Sequence, residues 1–283
     1  MFFAGLAAAL GAAILFNLGV ALQALEARKS PKSLGLKVGL LAHLLKRKLW
    51  LLGIALEGLG IAPQLVALAY APFAVVQTAL TAGLALLLFV GVRYLGERVD
   101  RTALAGVGLL IAGVALVSWG APEHSEGHRA GLALVLVVGA TGLGAVTPFV
   151  LQRFGIDRGL LLALASGVGF AGANVATKLA SDDVGLGHWP NAAAWGVAAA
   201  ALGVCATITG MSAFQRCAAT VVVPVSTAVQ TFLPIILEPL FLREHYTSFA
   251  TQLLPIGAGM AIATLGVVLV GRDPAVGKLA SGG

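Results

Sequence analysis

Long apolar runs recur along the whole chain, separated by short polar or basic segments. Nine of these runs have about 18 to 24 residues, which is enough for a helix to cross ~30 Å of hydrocarbon. The predicted spans are residues 2–25, 49–70, 73–95, 102–119, 130–151, 159–179, 192–214, 218–241 and 249–271. Their apolar residues are continuous rather than alternating, which favours helices over strands. The pattern therefore predicts an all-α polytopic membrane protein with nine transmembrane helices.

One segment between the first two spans does not fit this pattern. Residues 33–48, SLGLKVGLLAHLLKRK, mix apolar and basic residues and have too few apolar residues to span comfortably. We predict that residues 30–48 contain a basic amphipathic helix on the cytoplasmic surface. The alternative is a tenth, short span, which would place the N-terminus inside.

Composition agrees with a membrane protein. Of 283 residues, 59% are hydrophobic and 11% are charged, and the mean hydropathy is +0.96. A soluble domain of this length could not cover its surface with so few charges. The net charge is +6, but the basic residues are not interleaved with aromatic residues as they are in a nucleic-acid-binding groove. We therefore expect no nucleic-acid partner. We find no catalytic constellation or phosphate-binding loop, so we expect neither an enzyme nor a bound cofactor.

The basic residues predict an orientation. With the N-terminus outside, 15 of the 18 Lys and Arg residues fall in inner segments, and only Arg129, Lys178 and Arg243 lie outside or at the outer edge. Cytoplasmic loops carry an excess of Lys and Arg. We therefore predict a multi-pass protein of the cell membrane with a cytoplasmic C-terminus.

An internal repeat links the third and eighth predicted spans. VVQTALTAGLALLLFVGVRYLGE ends at Glu97, and VVPVSTAVQTFLPIILEPLFLRE ends at Glu244; a Gly-rich span follows each. The predicted topology runs these two spans in opposite directions. Inverted repeats of this kind are typical of secondary transporters. We predict an N-terminal repeat over residues 1–119, with four spans and the segment 30–48, and a C-terminal repeat of five spans over residues 130–271.

Glu57 is the most distinctive polar residue. It lies about 12 Å along the second predicted span, and an ionisable residue inside a membrane is a functional hypothesis by default. Gln64 follows seven residues later on the same helical face, with Pro63 beside it. The alternative is a structural pair of Glu57 with Asn17 or Lys178.

The eighth span carries a polar stripe at steps of three and four residues, including Thr227 and Gln230. Hydroxyl and amide groups on such stripes either bond across helix interfaces or face a cavity. We predict a substrate pathway lined by Asn17, Glu57, Gln64, Gln77, Asn174, Thr227 and Gln230, with Glu57 as the candidate metal ligand.

Two short motifs receive plainer interpretations. Gly167, Gly169 and Gly172 spell GxGxxG, but inside an apolar span they indicate close helix packing rather than dinucleotide binding. The loop EHSEGHR, residues 123–129, could bind a metal, but a solvated loop is the simpler interpretation.

The sequence YLGERVDRTALAGVGLLIAGVALVS resembles the end of an EamA-type repeat of the drug/metabolite transporter superfamily, and AFQRCAATVVVPVSTAVQTFLPIILEPLFLRE is similar to the matching part of the other repeat. Nine spans with a reduced first half, and the stretch LVALAYAPFAVVQT, look like the NIPA magnesium-transporter branch. That branch has Gly-Glu and then Asn ahead of Ala-Pro, whereas here Gln64 takes the Asn position before Ala71-Pro72 and the carboxylate is one turn earlier, at Glu57.

The resemblance implies a transporter that moves a small solute across the membrane by alternating access. Its NIPA-like branch implies Mg²⁺ or another divalent cation as the transported ion. A non-transporting membrane subunit whose polar faces bind a partner is the alternative from another class. The expected partners are the lipid bilayer, a small solute or cation, and a second copy of the chain in a homodimer.

Overall fold

The computed structural model describes residues 2–70, 73–94, 99–120, 132–154, 158–241 and 249–271, and its regular elements there are all helical. The α-helices are α1 (Phe2–Lys29), α2 (Val38–Leu44), α3 (Lys48–Tyr70), α4 (Phe73–Tyr94), α5 (Arg101–Gly120), α6 (Leu132–Leu151), α7 (Gly159–Gly185), α8 (Trp189–Phe214), α9 (Ala219–Phe241) and α10 (Leu254–Gly271). A π-helical turn, Phe249–Leu253, precedes α10.

Helices lie at all nine predicted positions. Within the described residues, seven helices are long and apolar enough to cross a membrane: α1, α3, α5, α6, α7, α8 and α10. The other two, α4 and α9, have shorter apolar parts over Thr78–Arg93 and Ala219–Pro234. The chain is therefore a multi-pass helical membrane protein, as the apolar runs predicted.

The main differences from the predicted boundaries are extensions of α1 and α7. The corresponding predicted spans end at residues 25 and 179, yet α1 continues to Lys29 and α7 to Gly185. Each extension carries an ion pair at helical spacing: Lys29 Nζ lies 3.1 Å from Glu26, and Lys178 Nζ lies 3.3 Å from Asp182. Such pairs support helical structure beyond the hydrocarbon.

The segment between α1 and α3 is more compact than predicted. The amphipathic helix expected there is the seven-residue α2, whose length of about 10 Å is a third of the hydrocarbon thickness and too short to span it. Leu40 and Leu44 on its apolar face are fully buried in the same core cluster as Met211 and Phe214 of α8. This face therefore contacts protein.

Helix pairs repeat in the two parts of the chain. In the first part, α1 packs against α3 and α4; in the second, α7 packs against α8 and α9. The tightest point between α1 and α3 lies at Gly19 and Gly53, where a Cβ on either residue would come within 2.7 Å of the other's carbonyl oxygen. Small residues allow this close approach of two backbones in a membrane.

The helices α5 and α10 form a second close and antiparallel crossing. Gly106 faces Gly266, and Gly113 faces Gly259, with each added Cβ lying 2.5–2.6 Å from the opposite carbonyl oxygen. The glycines of the GxGxxG motif also contact other helices, because Gly167 faces Ser226 of α9, Gly169 faces Ala206 of α8 and Gly172 faces Thr141 of α6. The packing interpretation of that motif is confirmed.

The faces of several helices turn away from the protein. Leu59, Ile61 and Leu65 of α3 are more than half exposed, as residues that contact lipid should be. Several sequence features lie outside the described residues: Ala71-Pro72, Glu97, Glu244 and the loop 123–129, together with the side chain of Gln77.

Candidate functional site

A cavity of about 410 Å³ lies between the two parts of the chain. Helices α1, α3 and α4 form one wall, and α7, α8 and α9 form the other. The lining mixes polar side chains with apolar ones, among them the aromatic rings of Phe16, Phe170 and Phe214. A pocket with this size and mixture is typical of a small-molecule site.

Glu57 lines the cavity from α3 and is the one charged residue among the described residues that do so. Its side chain lies at the crossing of α1 and α3, where the Cγ atom would be 2.8 Å from a Cβ on Gly19. The missing side chain of Gly19 therefore leaves the space that Glu57 occupies. A carboxylate in this position needs a counter-charge, a proton or water to compensate for lost hydration.

Gln23 of α1 lies on the other side of the same crossing and also lines the cavity. Its Cγ would lie 2.9 Å from a Cβ on Gly53. The residue is 4% exposed, and its amide nitrogen Nε2 has no hydrogen-bond partner in the described part of the chain. Buried polar groups are hydrogen-bonded in most proteins, so this orphaned donor needs an explanation.

The sequence offered a signal for Gln23 that our prediction did not use. It is an amide inside an apolar run, as Gln64 is, but it lies two residues from the predicted end of the first span. The actual α1 continues to Lys29, so Gln23 lies well inside a helix rather than at its end.

Asn17 lines the cavity from α1. Its Nδ2 donates a hydrogen bond of 2.8 Å to the carbonyl oxygen of Ala13, one turn earlier in the same helix. The same nitrogen occupies the space above Gly83 of α4, where a Cβ would collide with it. Asn17 thus joins α1 to α4 and forms part of the cavity wall.

Thr227 and Gln230 line the opposite wall from α9, together with Ser226 and Thr231. The polar stripe predicted for this helix therefore faces the cavity over at least its central part. Thr209 and Ser212 of α8, by contrast, are fully buried and donate to carbonyl oxygens of their own helix.

Two hydroxyl groups in the same wall donate their hydrogen bonds to backbone carbonyl oxygens. Ser166 Oγ of α7 donates to the carbonyl oxygen of Ala206 at 2.9 Å, and Thr207 Oγ1 of α8 donates to that of Gly203 at 2.8 Å. A hydroxyl has one proton to donate and two acceptor lone pairs. In this arrangement both groups can accept a hydrogen bond from a ligand.

Other predicted pathway residues do not join this cavity. Gln64 is absent from its lining because Phe16 of α1 packs over Gly60, where a Cβ would lie 2.9 Å from the ring. The ring closes the cavity between Glu57 and Gln64, although the two share a helical face. Asn174 lies on an exposed part of α7. The side chain of Gln77 is outside the described residues.

The segment between α1 and α3 holds the end of α8 beside the cavity. The backbone nitrogen of Leu36 donates to Ser212 Oγ at 2.9 Å, and Gln215 Nε2 donates to the carbonyl oxygens of Ser30 and Pro31 at 3.4 and 3.3 Å. The Trp50 indole donates to the Met211 sulfur at 3.5 Å. We call residues 30–50 the tether. Leu36 adopts a left-handed conformation, with φ of 55°, within it.

The described residues show no group of three or more His, Cys, Asp or Glu side chains that could hold a metal ion. Glu57 could offer one carboxylate to a hydrated cation. Mg²⁺ is usually bound through one or two carboxylates and several waters, so the site supplies the minimum for that ion.

No protein-family model, curated protein or solved structure matches the chain. The cavity and the residues that line it are therefore the basis for assigning a function.

Proposed function

We propose that this chain is a membrane transporter that moves a small solute through the central cavity by alternating access. The observation that carries the proposal is a cavity that both parts of the chain build and whose mainly apolar lining holds one carboxylate and several hydroxyl and amide groups. Transporter sites lie at the interface between structural repeats, because rocking of one repeat against the other can expose the site to either side.

Two inverted repeats form part of the proposal. Pairing α1, α3, α4 and α5 with α7, α8, α9 and α10 leaves α6 as the extra helix. Gly106 and Gly113 of α5 are seven residues apart, as are Gly259 and Gly266 of α10, so under this pairing Gly106 can be matched with Gly259 and Gly113 with Gly266. The observed contacts Gly106–Gly266 and Gly113–Gly259 then exchange under a two-fold rotation. A two-fold axis between antiparallel helices is what an inverted repeat requires.

The same arrangement supports α4 and α9 as membrane spans, which brings the proposed number of spans to nine. It also agrees with the resemblance to the drug/metabolite transporter superfamily, which we propose as the family of this chain. We place the protein in the cell membrane, with the N-terminus outside and the C-terminus in the cytoplasm.

Transport by the chain alone is the decisive test. The purified protein is reconstituted into liposomes, and the uptake of cationic, neutral and anionic solutes is measured. Uptake of Mg²⁺ is measured in the same liposomes with a trapped Mg²⁺-sensitive dye. We expect saturable flux of at least one class above that of protein-free liposomes. If the folded protein moves none of them, it is a non-transporting subunit and the proposal is wrong.

The NIPA-like alternative has its own outcome in the same assay. Selective Mg²⁺ flux that depends on Glu57 would identify a divalent-cation transporter. The observation that supports a divalent-cation transporter as a second candidate function is the carboxylate of Glu57 in the cavity.

A further inference from the structure

The polar groups of the cavity define the kind of ligand that it can satisfy. An ionised carboxylate accepts hydrogen bonds and cannot donate them. Ser166 and Thr207 are also acceptors here, because their protons are bonded to backbone carbonyl oxygens. A ligand with several N–H donors and a positive charge therefore complements Glu57 and both hydroxyl groups.

Gln23 adds a requirement of the opposite kind. Its buried Nε2 has no hydrogen-bond partner in the described residues, and it belongs to the same α1–α3 crossing as Glu57. A buried donor without a partner is destabilising, and an acceptor oxygen on a ligand would satisfy it. The cavity thus presents an acceptor, Glu57, and a donor, Gln23, side by side, and a ligand that carries both a donor and an acceptor could bond to both.

We propose that the cavity binds a small organic ammonium compound that also carries an acceptor oxygen, with its ammonium group at Glu57 and its oxygen at Gln23 Nε2. This inference names the substrate class of the transporter proposed above. It rests on that proposed function only in stating that the bound compound is also transported. Binding itself is measured without flux.

Other ligand classes fit the lining less well. An anion would meet Glu57 and find no Lys, Arg or His among the described lining residues. A bare divalent cation would gain one carboxylate and would be repelled by the N–H groups of Gln23. A neutral solute would supply no counter-charge, so the Glu57 carboxyl group would have to hold a proton or contact water in its place.

The size and apolar part of the cavity set the rest of the ligand. Its volume of 410 Å³ lies within the roughly 300–1,000 Å³ that is usual for small-molecule sites. The rings of Phe16, Phe170 and Phe214 can contact an apolar group or the ammonium itself. A compound with an aromatic ring, an amide and an ammonium group on a two-carbon linker is therefore a suitable probe.

Four probes of one shape separate the contributions. N-(2-aminoethyl)benzamide has the ammonium and the carbonyl oxygen. N-(2-hydroxyethyl)benzamide replaces the ammonium by a neutral hydroxyl, and N-benzoylglycine replaces it by a carboxylate. 4-Phenylbutylamine keeps the ammonium and lacks the acceptor oxygen. Affinities are measured by calorimetry on the full chain in nanodiscs, with MgCl₂ as a further ligand.

We expect the aminoethyl probe to bind at least about tenfold more tightly than the hydroxyethyl probe, because it forms a charge-assisted hydrogen bond. Glu57→Gln should remove this preference. Gln23→Leu should keep it, and should reduce the ratio of aminoethyl to phenylbutyl affinity by about fivefold, since it removes the donor to the oxygen. The melting temperature of the unliganded Gln23→Leu protein should be equal to or above that of the parent, because an orphaned donor is removed.

Several results would overturn the ligand class: equal binding of the aminoethyl and hydroxyethyl probes, tightest binding of N-benzoylglycine, Glu57-dependent binding of Mg²⁺ alone, or no binding of any probe at millimolar concentration. A Gln23→Leu protein with lower stability and unchanged probe affinities would make Gln23 a structural residue and remove its part of the assignment.

Binding of the aminoethyl probe without flux would refute transport and support the ligand class. Flux of another solute class without binding of the aminoethyl probe would support transport and refute the ligand class.

Discussion

Glu57 and Gln23 matter because of where two glycines allow them to lie. Gly19 leaves room for the carboxylate and Gly53 for the amide, so both polar groups enter a helix crossing that is otherwise close-packed. Ordinary packing does not need a charge there. We infer that the residues serve a ligand, and their substitution separates that role from a structural one.

The first prediction concerns transport through Glu57. Glu57→Gln keeps the size and hydrogen-bonding capacity of the side chain but cannot carry a charge, so flux of N-(2-aminoethyl)benzamide should fall by about tenfold or more. Glu57→Asp keeps the charge on a shorter chain and should retain part of the activity. Flux is measured in liposomes, alongside a melting curve of each preparation. Normal flux through a stably folded Glu57→Gln protein would contradict the assignment, and a large loss of melting temperature would indicate a structural pair.

At the scale of helices, the cavity depends on crossings that hold α1 to α3 and α5 to α10, and on the tether that joins the first part of the chain to α8. The crossings are made by glycines and the tether by hydrogen bonds to backbone groups. The α5–α10 crossing and the Ser212 hydrogen bond can be changed at Gly113 and Ser212, which are not among the residues that line the cavity.

The glycine crossing of α5 and α10 predicts a contrast between two substitutions in one helix. A Cβ on Gly113 would lie 2.5 Å from the Gly259 carbonyl oxygen, whereas a Cβ on Gly108 meets nothing within 4 Å. Gly113→Ala should lower the free energy of unfolding by about 1–3 kcal/mol through overpacking. Gly108→Ala, the matched control, should leave it unchanged or raise it. Thermal unfolding in detergent measures both; equal melting temperatures would contradict this crossing.

The tether predicts an effect at Ser212, whose hydroxyl accepts the hydrogen bond of the buried Leu36 N–H. Ser212→Ala leaves that donor unpaired and should cost about 1–3 kcal/mol of stability. It should also speed amide hydrogen exchange in residues 30–47. Thr209→Val is the control, because the Thr209 hydroxyl is equally buried but bonds only to carbonyl oxygens of its own helix. Unchanged exchange in the Ser212 variant would show that the tether does not depend on this bond.

The cavity wall on α9 predicts accessibility of specific positions. Thr227→Cys and Gln230→Cys, made in a background without Cys205 and Cys217, should react with a membrane-impermeant thiol reagent from at least one side, because both positions line the cavity. Ala228→Cys is the control, since Ala228 is buried and does not line it. Labelling at Ala228 alone, or at none of the three, would contradict a water-filled cavity at this wall.

For the whole molecule, the distribution of basic residues sets the proposed orientation. Of the 18 Lys and Arg residues, 15 lie in the segments proposed to be inside and three in those proposed to be outside. This excess indicates that the inner segments face the cytoplasm. The proposed pathway between the two parts therefore connects the outside to the cytoplasm.

The orientation predicts that Ser125→Cys is labelled in intact cells by an impermeant reagent. Lys46→Cys, in the segment before α3, should be labelled only after the membrane is permeabilised. Both variants are made without Cys205 and Cys217. The opposite pattern would reverse the topology.

Much of the helical architecture could be predicted from the apolar runs. A segment in lipid must satisfy its backbone hydrogen bonds internally, so a long apolar run specifies a helix whatever its neighbours are. The observed helices coincide with the nine predicted runs to within a few residues, apart from the extensions of α1 and α7. Glu57, Asn17, Thr227 and Gln230 were identified for the same reason: a polar group in an apolar run needs a partner, a ligand or water.

Only the tertiary structure decided which polar groups meet. Helical periodicity placed Gln64 on the face of Glu57, but Phe16 packs over Gly60 and separates it from the cavity, while Gln23 enters through the Gly53 crossing. Likewise, the apolar residues of α2 predicted an amphipathic helix, but its contact with α8 buries Leu40 and Leu44 in protein. Backbone hydrogen bonding is satisfied within one helix and can be inferred from that helix's own residues. The position of a side chain in a crossing depends on the shape of the partner helix, which local sequence does not contain.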